Sequence, residues 1–147
     1  MPELAGVVAD AFAARIRAVE EHALSPRAVR SYETRGRERE EAECLVRSIQ
    51  SDENQTAARS IMLLLLTGGR RNEITYAKWD YVDWKNKTLL VPKSKSGRAR
   101  VIALNQSAIA LLSATPRIEG NPYIFPSEVT GRPSASLFFP WARIRER

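Results

Sequence analysis

Arg70 and Glu73 stand three residues apart, directly after Thr67-Gly68-Gly69, and Arg71 sits between them. Lys93, Lys95, Arg98 and Arg100 follow within eight residues that contain no acid. These residue types suit one chemistry. A guanidinium is a planar fork that grips phosphate or carboxylate oxygens, and it keeps its charge at any physiological pH. A lysine ammonium can bind an anion as a point charge, or deliver a proton to a leaving oxygen. A carboxylate three residues from an arginine on a helix can pair with it and fix its orientation. Together they suit a site that grips an anion, a phosphate or a carboxylate, with Arg70 as the candidate fork. A merely solvated basic turn would look the same at Lys93–Arg100 taken alone.

These side chains need elements to hold them. Six apolar residues, Ile61 to Leu66, end at Thr67-Gly68-Gly69. This pattern predicts a buried helix over 57–66 that stops at a sharp turn, which the two glycines permit. A second short helix, beginning with the arginines, should continue to Ala77. Trp79, Val82 and Trp84 then alternate with polar residues, and Asn86-Lys87 suggests a turn. Thr88–Val91 and Arg100–Leu104 read as strands around the Gly-containing loop PKSKSGRA. The expectation is a three-stranded antiparallel sheet that carries the basic residues on a hairpin. A helix at 106–114 has Asn105 as its cap, 121–134 is rich in Pro, Gly and Ser and should be a loop, and SASLFFPWARIRER closes the chain as a helix interrupted or kinked by Pro140.

Upstream, Leu4, Val7, Val8, Ala11, Phe12, Ile16 and Val19 recur at helical spacing and predict an amphipathic helix over 3–20. Residues 27–41 are mostly charged and read as a linker or an exposed helical arm. Ala42, Leu45, Val46 and Ile49 predict a short helix before the polar break SDENQT. The division that follows is 1–40, an N-terminal helix and charged linker, and 41–147, the folded unit. The fold class is α+β, mainly helical.

Length and composition narrow the function. The 147 residues suit one domain with its own core. No stretch approaches the ~18 apolar residues of a membrane span, and the N-terminus lacks a secretory layout, so a cytoplasmic protein is expected. One cysteine, Cys44, and one histidine, His22, support neither an internal disulfide nor a His/Cys metal site, and no cofactor motif is present. Net charge is +6 but uneven: residues 1–60 carry 9 Lys/Arg against 11 Asp/Glu, residues 61–147 carry 14 against 6. The basic half is the half with the arginine motif, which points to a polyanionic partner, nucleic acid above all.

Thr67, Gly68, Arg70 and Glu73 resemble the first active-site motif of the tyrosine recombinases, or phage integrases: an apolar helix, T-G-x-R-x-x-E, a short helix and a three-stranded hairpin with a lysine. The resemblance runs from about Ile61 to the C-terminus. It implies duplex DNA as partner and strand cleavage and rejoining through a phosphotyrosine link, without metal or cofactor. It assigns transition-state charge to Arg70, an orienting role to Glu73, and the general acid to Lys95, seven residues before Ile102 in Ile102-Ala103-Leu104. The usual proline there is Ala103, and Lys93 is the competing lysine. Arg71, Lys93, Arg98 and Arg100 are the expected DNA contacts. The family's second motif, H-x-x-R, and its tyrosine nucleophile do not follow Glu73; Tyr76 and Tyr81 flank the first motif and read as packing residues. The expectation is therefore the first half of a catalytic domain, truncated and inactive alone. The rival readings are a non-catalytic DNA-binding or regulatory remnant and a protein-interaction module. The apolar Leu137, Phe138, Phe139, Trp141 and Ile144 would lack their usual cover, which suggests a homo-oligomer.

Overall fold

The computed structural model describes residues 31–134 and 136–146; the helix expected at 3–20 lies outside them. Among the described residues there are five α-helices and one three-stranded sheet, the α+β architecture that the sequence predicts. The first helix, α1 (Ser31–Gln50), is a single 20-residue element. The charged segment and the short apolar helix expected at 42–49 are thus two halves of one rod, which runs unbroken across residue 40. Val46 and Ile49, in its C-terminal half, enter the core.

The central helix is α2 (Gln55–Thr67). Asn54 starts it, its side chain accepting the Ala57 N–H at 3.0 Å. Gly68 ends it at φ 65°, a left-handed conformation that glycine adopts without cost, and its N–H satisfies the Leu64 carbonyl. Every apolar face around α2 finds a neighbour: α1 on one side and, after the sheet, α4 (Gln106–Ala114) and α5 (Phe138–Arg145). Leu63 is wholly buried. Asn105 serves two helices at once. Its oxygen caps α4 by accepting the Ala108 N–H at 2.8 Å, and its amide donates to the Leu66 carbonyl at 3.2 Å, one of the orphans at the end of α2.

The sheet has order β1 (Val82–Asp83), β2 (Thr88–Val91), β3 (Arg100–Ala103), antiparallel throughout. Leu89 pairs with Ile102 and Val82, and these three point into the core, while Leu90 and Val101 face out. The first strand is much shorter than the alternation of Trp79, Val82 and Trp84 predicts. Trp79–Tyr81 form a 3-10 turn instead, and Asp83 stops the strand by accepting the Asn86 backbone N–H at 2.9 Å. The segment before it pairs elsewhere: Trp79 N–H donates to the Pro122 carbonyl and Ile124 N–H to the Ala77 carbonyl, with Lys78 opposite Tyr123. The Pro/Gly-rich stretch 121–134 is therefore docked along the core, with Ile124 and Phe125 buried.

Pro140 does not kink α5. It is the third residue of the helix, in the first turn, where its missing N–H would have had no intrahelical partner. An ion pair holds α5 down. Arg143 donates Nε and Nη2 to the fully buried carboxylate of Asp52 at 2.9 and 2.7 Å, and its Nη1 lies 3.2 Å from Glu53. Leu137 and Ile144 are buried by the chain itself and Trp141 packs against the core. Of the five apolar residues expected to lack cover, only Phe138 and Phe139 remain exposed, edge to face with centroids 5.4 Å apart.

Candidate functional site

The site begins where α2 ends. Thr67 turns its hydroxyl back to the Leu63 carbonyl at 2.7 Å and accepts the Gly69 N–H at 3.2 Å, so the turn is tied to the helix before it. Gly69 is hemmed in by core side chains: a β-carbon there would lie 3.1 Å from Ile74 and 3.3 Å from Ile102. The chain then enters α3 (Arg71–Thr75) with Arg70 as its extended N-cap residue. An arginine side chain has no acceptor, so it cannot cap the helix itself. Glu73, three residues on, does the reciprocal half of a capping box and accepts the Arg70 N–H at 2.9 Å.

Glu73 makes its principal ion pair across the sheet. Arg100, on β3, donates Nε to one carboxylate oxygen at 2.9 Å and Nη2 to the other. The Arg70 guanidinium stands farther off, at 3.9 Å. Glu73 is 5% exposed in its side chain, whereas Arg70 is 57% and Arg100 41% exposed. The Arg100 hydrogen bond, with the Arg70 N–H and the two positive charges, holds the Glu73 carboxyl below its ordinary range against the opposing effect of burial. The same bond raises Arg100. Glu73 is thus a fixed anion that clamps the start of α3 to β3, and it leaves the Arg70 head open to solvent.

In front of this clamp lies an open groove of ≈ 930 Å³. Arg70, Arg71 and Glu73 line it from α3, and Lys93 and Lys95 from the hairpin. Its floor is Ala77, Leu90 and Val91, and Tyr76, Tyr81 and Tyr123 stand along it. The hairpin keeps its shape through Ser94, whose N–H donates to the Arg98 carbonyl at 3.0 Å and whose carbonyl accepts the Gly97 N–H at 2.9 Å, with Gly97 at φ 77°. That buries Ser94 and turns Lys93 and Lys95 outward.

The structure brings Arg70, Glu73 and both candidate lysines to one concave surface. Arg98 is exposed but lies outside the lining, and Arg100, expected to contact DNA, has two of its nitrogens committed to Glu73. The Arg100 pairing escaped sequence reasoning because it joins residues far apart in the chain. Glu73 already has Arg70 and Arg71 beside it in the sequence, so nothing local pointed to a cation on another element. Lys78, the fifth cation of the groove, carried no signal, for its partner Tyr123 lies in a stretch that reads as loop.

Among the described residues no group of three His, Cys, Asp or Glu side chains could hold a metal ion, and no helix is long and apolar enough to cross a membrane. No curated protein and no solved structure matches the chain. A profile of the phage integrase family does, over residues 38–140, a span that holds the whole of the groove. That span is more than half of the chain, and the chain belongs to the phage integrase family.

Proposed function

We propose that the chain binds duplex DNA in this groove and supplies part of the machinery for DNA strand cleavage and rejoining. The observation that carries the reading is the convergence of Arg70, Arg71, Lys93 and Lys95 on one surface whose single carboxylate, Glu73, is already neutralised by Arg100. A phosphodiester under attack gathers negative charge on its non-bridging oxygens. The exposed Arg70 fork meets that charge, a contribution of about 3–4 kcal/mol for one well-placed donor in comparable sites. Lys95, on the facing hairpin, donates a proton to the departing deoxyribose 5′ oxygen. Glu73 touches no reacting atom and acts by fixing the Arg70 backbone. Arg71, Lys93 and Arg98 contact phosphates that position the duplex.

Without an H-x-x-R or a tyrosine beyond it, these 147 residues bind DNA and form no covalent link to it. Placement in the cytoplasm belongs to the same proposal, and so does self-association through Phe138 and Phe139. Light scattering tests the latter; a mass that stays monomeric at rising concentration refutes it. DNA binding is tested by fluorescence anisotropy across a salt series. With about four phosphates gripped, log K falls against log salt with a slope near −3.6, and Arg70→Ala combined with Lys95→Ala flattens it. Salt-independent binding, or none at low salt, refutes the reading. A suicide substrate that trapped a tyrosine–DNA adduct would refute the claim of inactivity.

A further inference from the structure

We infer that Lys78 is a further phosphate contact of the groove, held in position by Tyr81 and Tyr123. The inference rests on the groove's role in DNA binding and adds to it a residue outside the arginine and hairpin motifs.

Lys78 is half-buried, between the buried Ala77 and Trp79, and it lines the same groove as Arg70 and Lys95. Its ammonium lies 5.5 Å from the ring centre of Tyr123 and 5.8 Å from that of Tyr81. Among the described residues no carboxylate lies within ion-pair distance of it, whereas Arg100 and Arg143 each have one. A half-buried ammonium has given up part of its hydration, and the faces of two phenol rings return only some of it. The rings do something else: contact with both holds the head of a lysine that otherwise loses much rotamer freedom on binding. The backbone is fixed too, because Lys78 and Tyr123 face each other in an antiparallel bridge, secured by the Trp79 N–H to the Pro122 carbonyl at 3.0 Å and the Ile124 N–H to the Ala77 carbonyl at 3.0 Å.

A pre-positioned cation without a counter-ion, in a groove where cations outnumber carboxylates five to one, is built for an anion from outside. A backbone phosphate is the anion the groove already receives. The docked stretch 121–134 gains a purpose by this: it supplies the ring that orients Lys78.

The test is anisotropy of a labelled duplex over a salt series with wild-type chain, Lys78→Met, Lys78→Arg and Lys85→Gln. Methionine keeps the stem in its packing and removes the charge. Loss of one phosphate contact makes the log K against log salt slope shallower by about 0.9, which amounts to about eightfold weaker binding at 0.1 M salt if the curves meet near 1 M. Lys78→Arg keeps the slope, and Lys85→Gln, which removes an exposed charge outside the groove, leaves it unchanged. Tyr123→Leu weakens binding in the wild-type background and has no further effect beside Lys78→Met. Thermal melts of each variant confirm folding. If wild type binds with the expected slope and Lys78→Met matches it, Lys78 is not a contact, and the groove reading stands. If wild type shows no salt-dependent binding, both fall.

Discussion

Glu73 is the residue on which the site's geometry can be tested without any DNA. Glu73→Ala removes three hydrogen bonds: one from the Arg70 N–H at the start of α3, and two from Arg100. The first is a helix-capping bond, whose loss costs about 1 kcal/mol. The two charge-assisted bonds would each be worth about 1.5–3 kcal/mol if both partners were buried. Arg100 is open to water, however, and regains hydration once released, so the pair contributes nearer the ~1 kcal/mol upper end for surface ion pairs. The sum is about 2 kcal/mol. For a chain of this length that lowers the melting temperature by about 6 °C. Arg100→Ala placed on top of Glu73→Ala should add little, because the shared interaction is already gone. The pH dependence has a definite sign. The folded carboxyl binds its proton less tightly than the unfolded one, so the ion pair stabilises the fold above the ordinary carboxylate range and ceases to do so as pH falls through the lowered folded value. The stability gap between wild type and Glu73→Gln should therefore be full at pH 6 and shrink below about pH 4. Differential scanning calorimetry at several pH values measures it. A Glu73→Ala protein that melts with wild type, or a gap that widens in acid, would show that the clamp between α3 and β3 does not hold the site.

Three further outcomes follow from the packing. Asp52→Ala should destabilise by about 1–3 kcal/mol, read by urea titration, since it removes both bonds to the Arg143 guanidinium, which keeps only Glu53, and also frees the Asn54 N–H, which donates to Asp52 at 2.9 Å. Gly69→Ala should cost about 1–3 kcal/mol, because its methyl would press on Ile74 and Ile102, and DNA affinity should fall with it as the turn that aims Arg70 shifts. Leu137→Ala and Ile144→Ala should each cost about 2–5 kcal/mol, whereas Phe138→Ser and Phe139→Ser, at residues 68% and 76% exposed, should stay within about 0.5 kcal/mol of wild type in the same titration.

What the sequence shows about this fold is what local rules control. The Ile61–Leu66 run and the glycines behind it predict a helix over 57–66, within two residues of α2 at either end, since caps and apolar patterning act within a turn or two of helix. The hairpin between β2 and β3 is legible for the same reason: a short apolar run on each side and a glycine at the positive φ. Legibility fails where a distant partner decides. Trp79–Tyr81 has the pattern of a strand and forms a 3-10 turn, where the Trp79 N–H is taken by the Pro122 carbonyl and the Ala77 carbonyl just before it by the Ile124 N–H. Residues 27–41 are mostly charged and read as either a linker or an exposed helical arm; from Ser31 on they are helical, in continuity with a C-terminal half that packs on α2.

The same division runs through the site. Arg70 and Glu73 are readable as a pair because their spacing is local, and the side-chain ion pair that it suggests is present at 3.9 Å, but Glu73 makes its closer bonds to the Arg70 backbone and to Arg100. The difference matters chemically. Had Glu73 bound the Arg70 guanidinium closely, it would have competed with a phosphate for the same fork. By taking its cation from β3, Glu73 fixes the position of Arg70 through the main chain and leaves the head, 3.9 Å away and exposed, free for an incoming oxyanion. It also ties the arginine's element to the strand that follows the lysine hairpin. A displacement of β3 would carry Arg100 with it and pull on Glu73, so this ion pair couples the start of α3, where Arg70 stands, to the strand that follows the Lys95 loop.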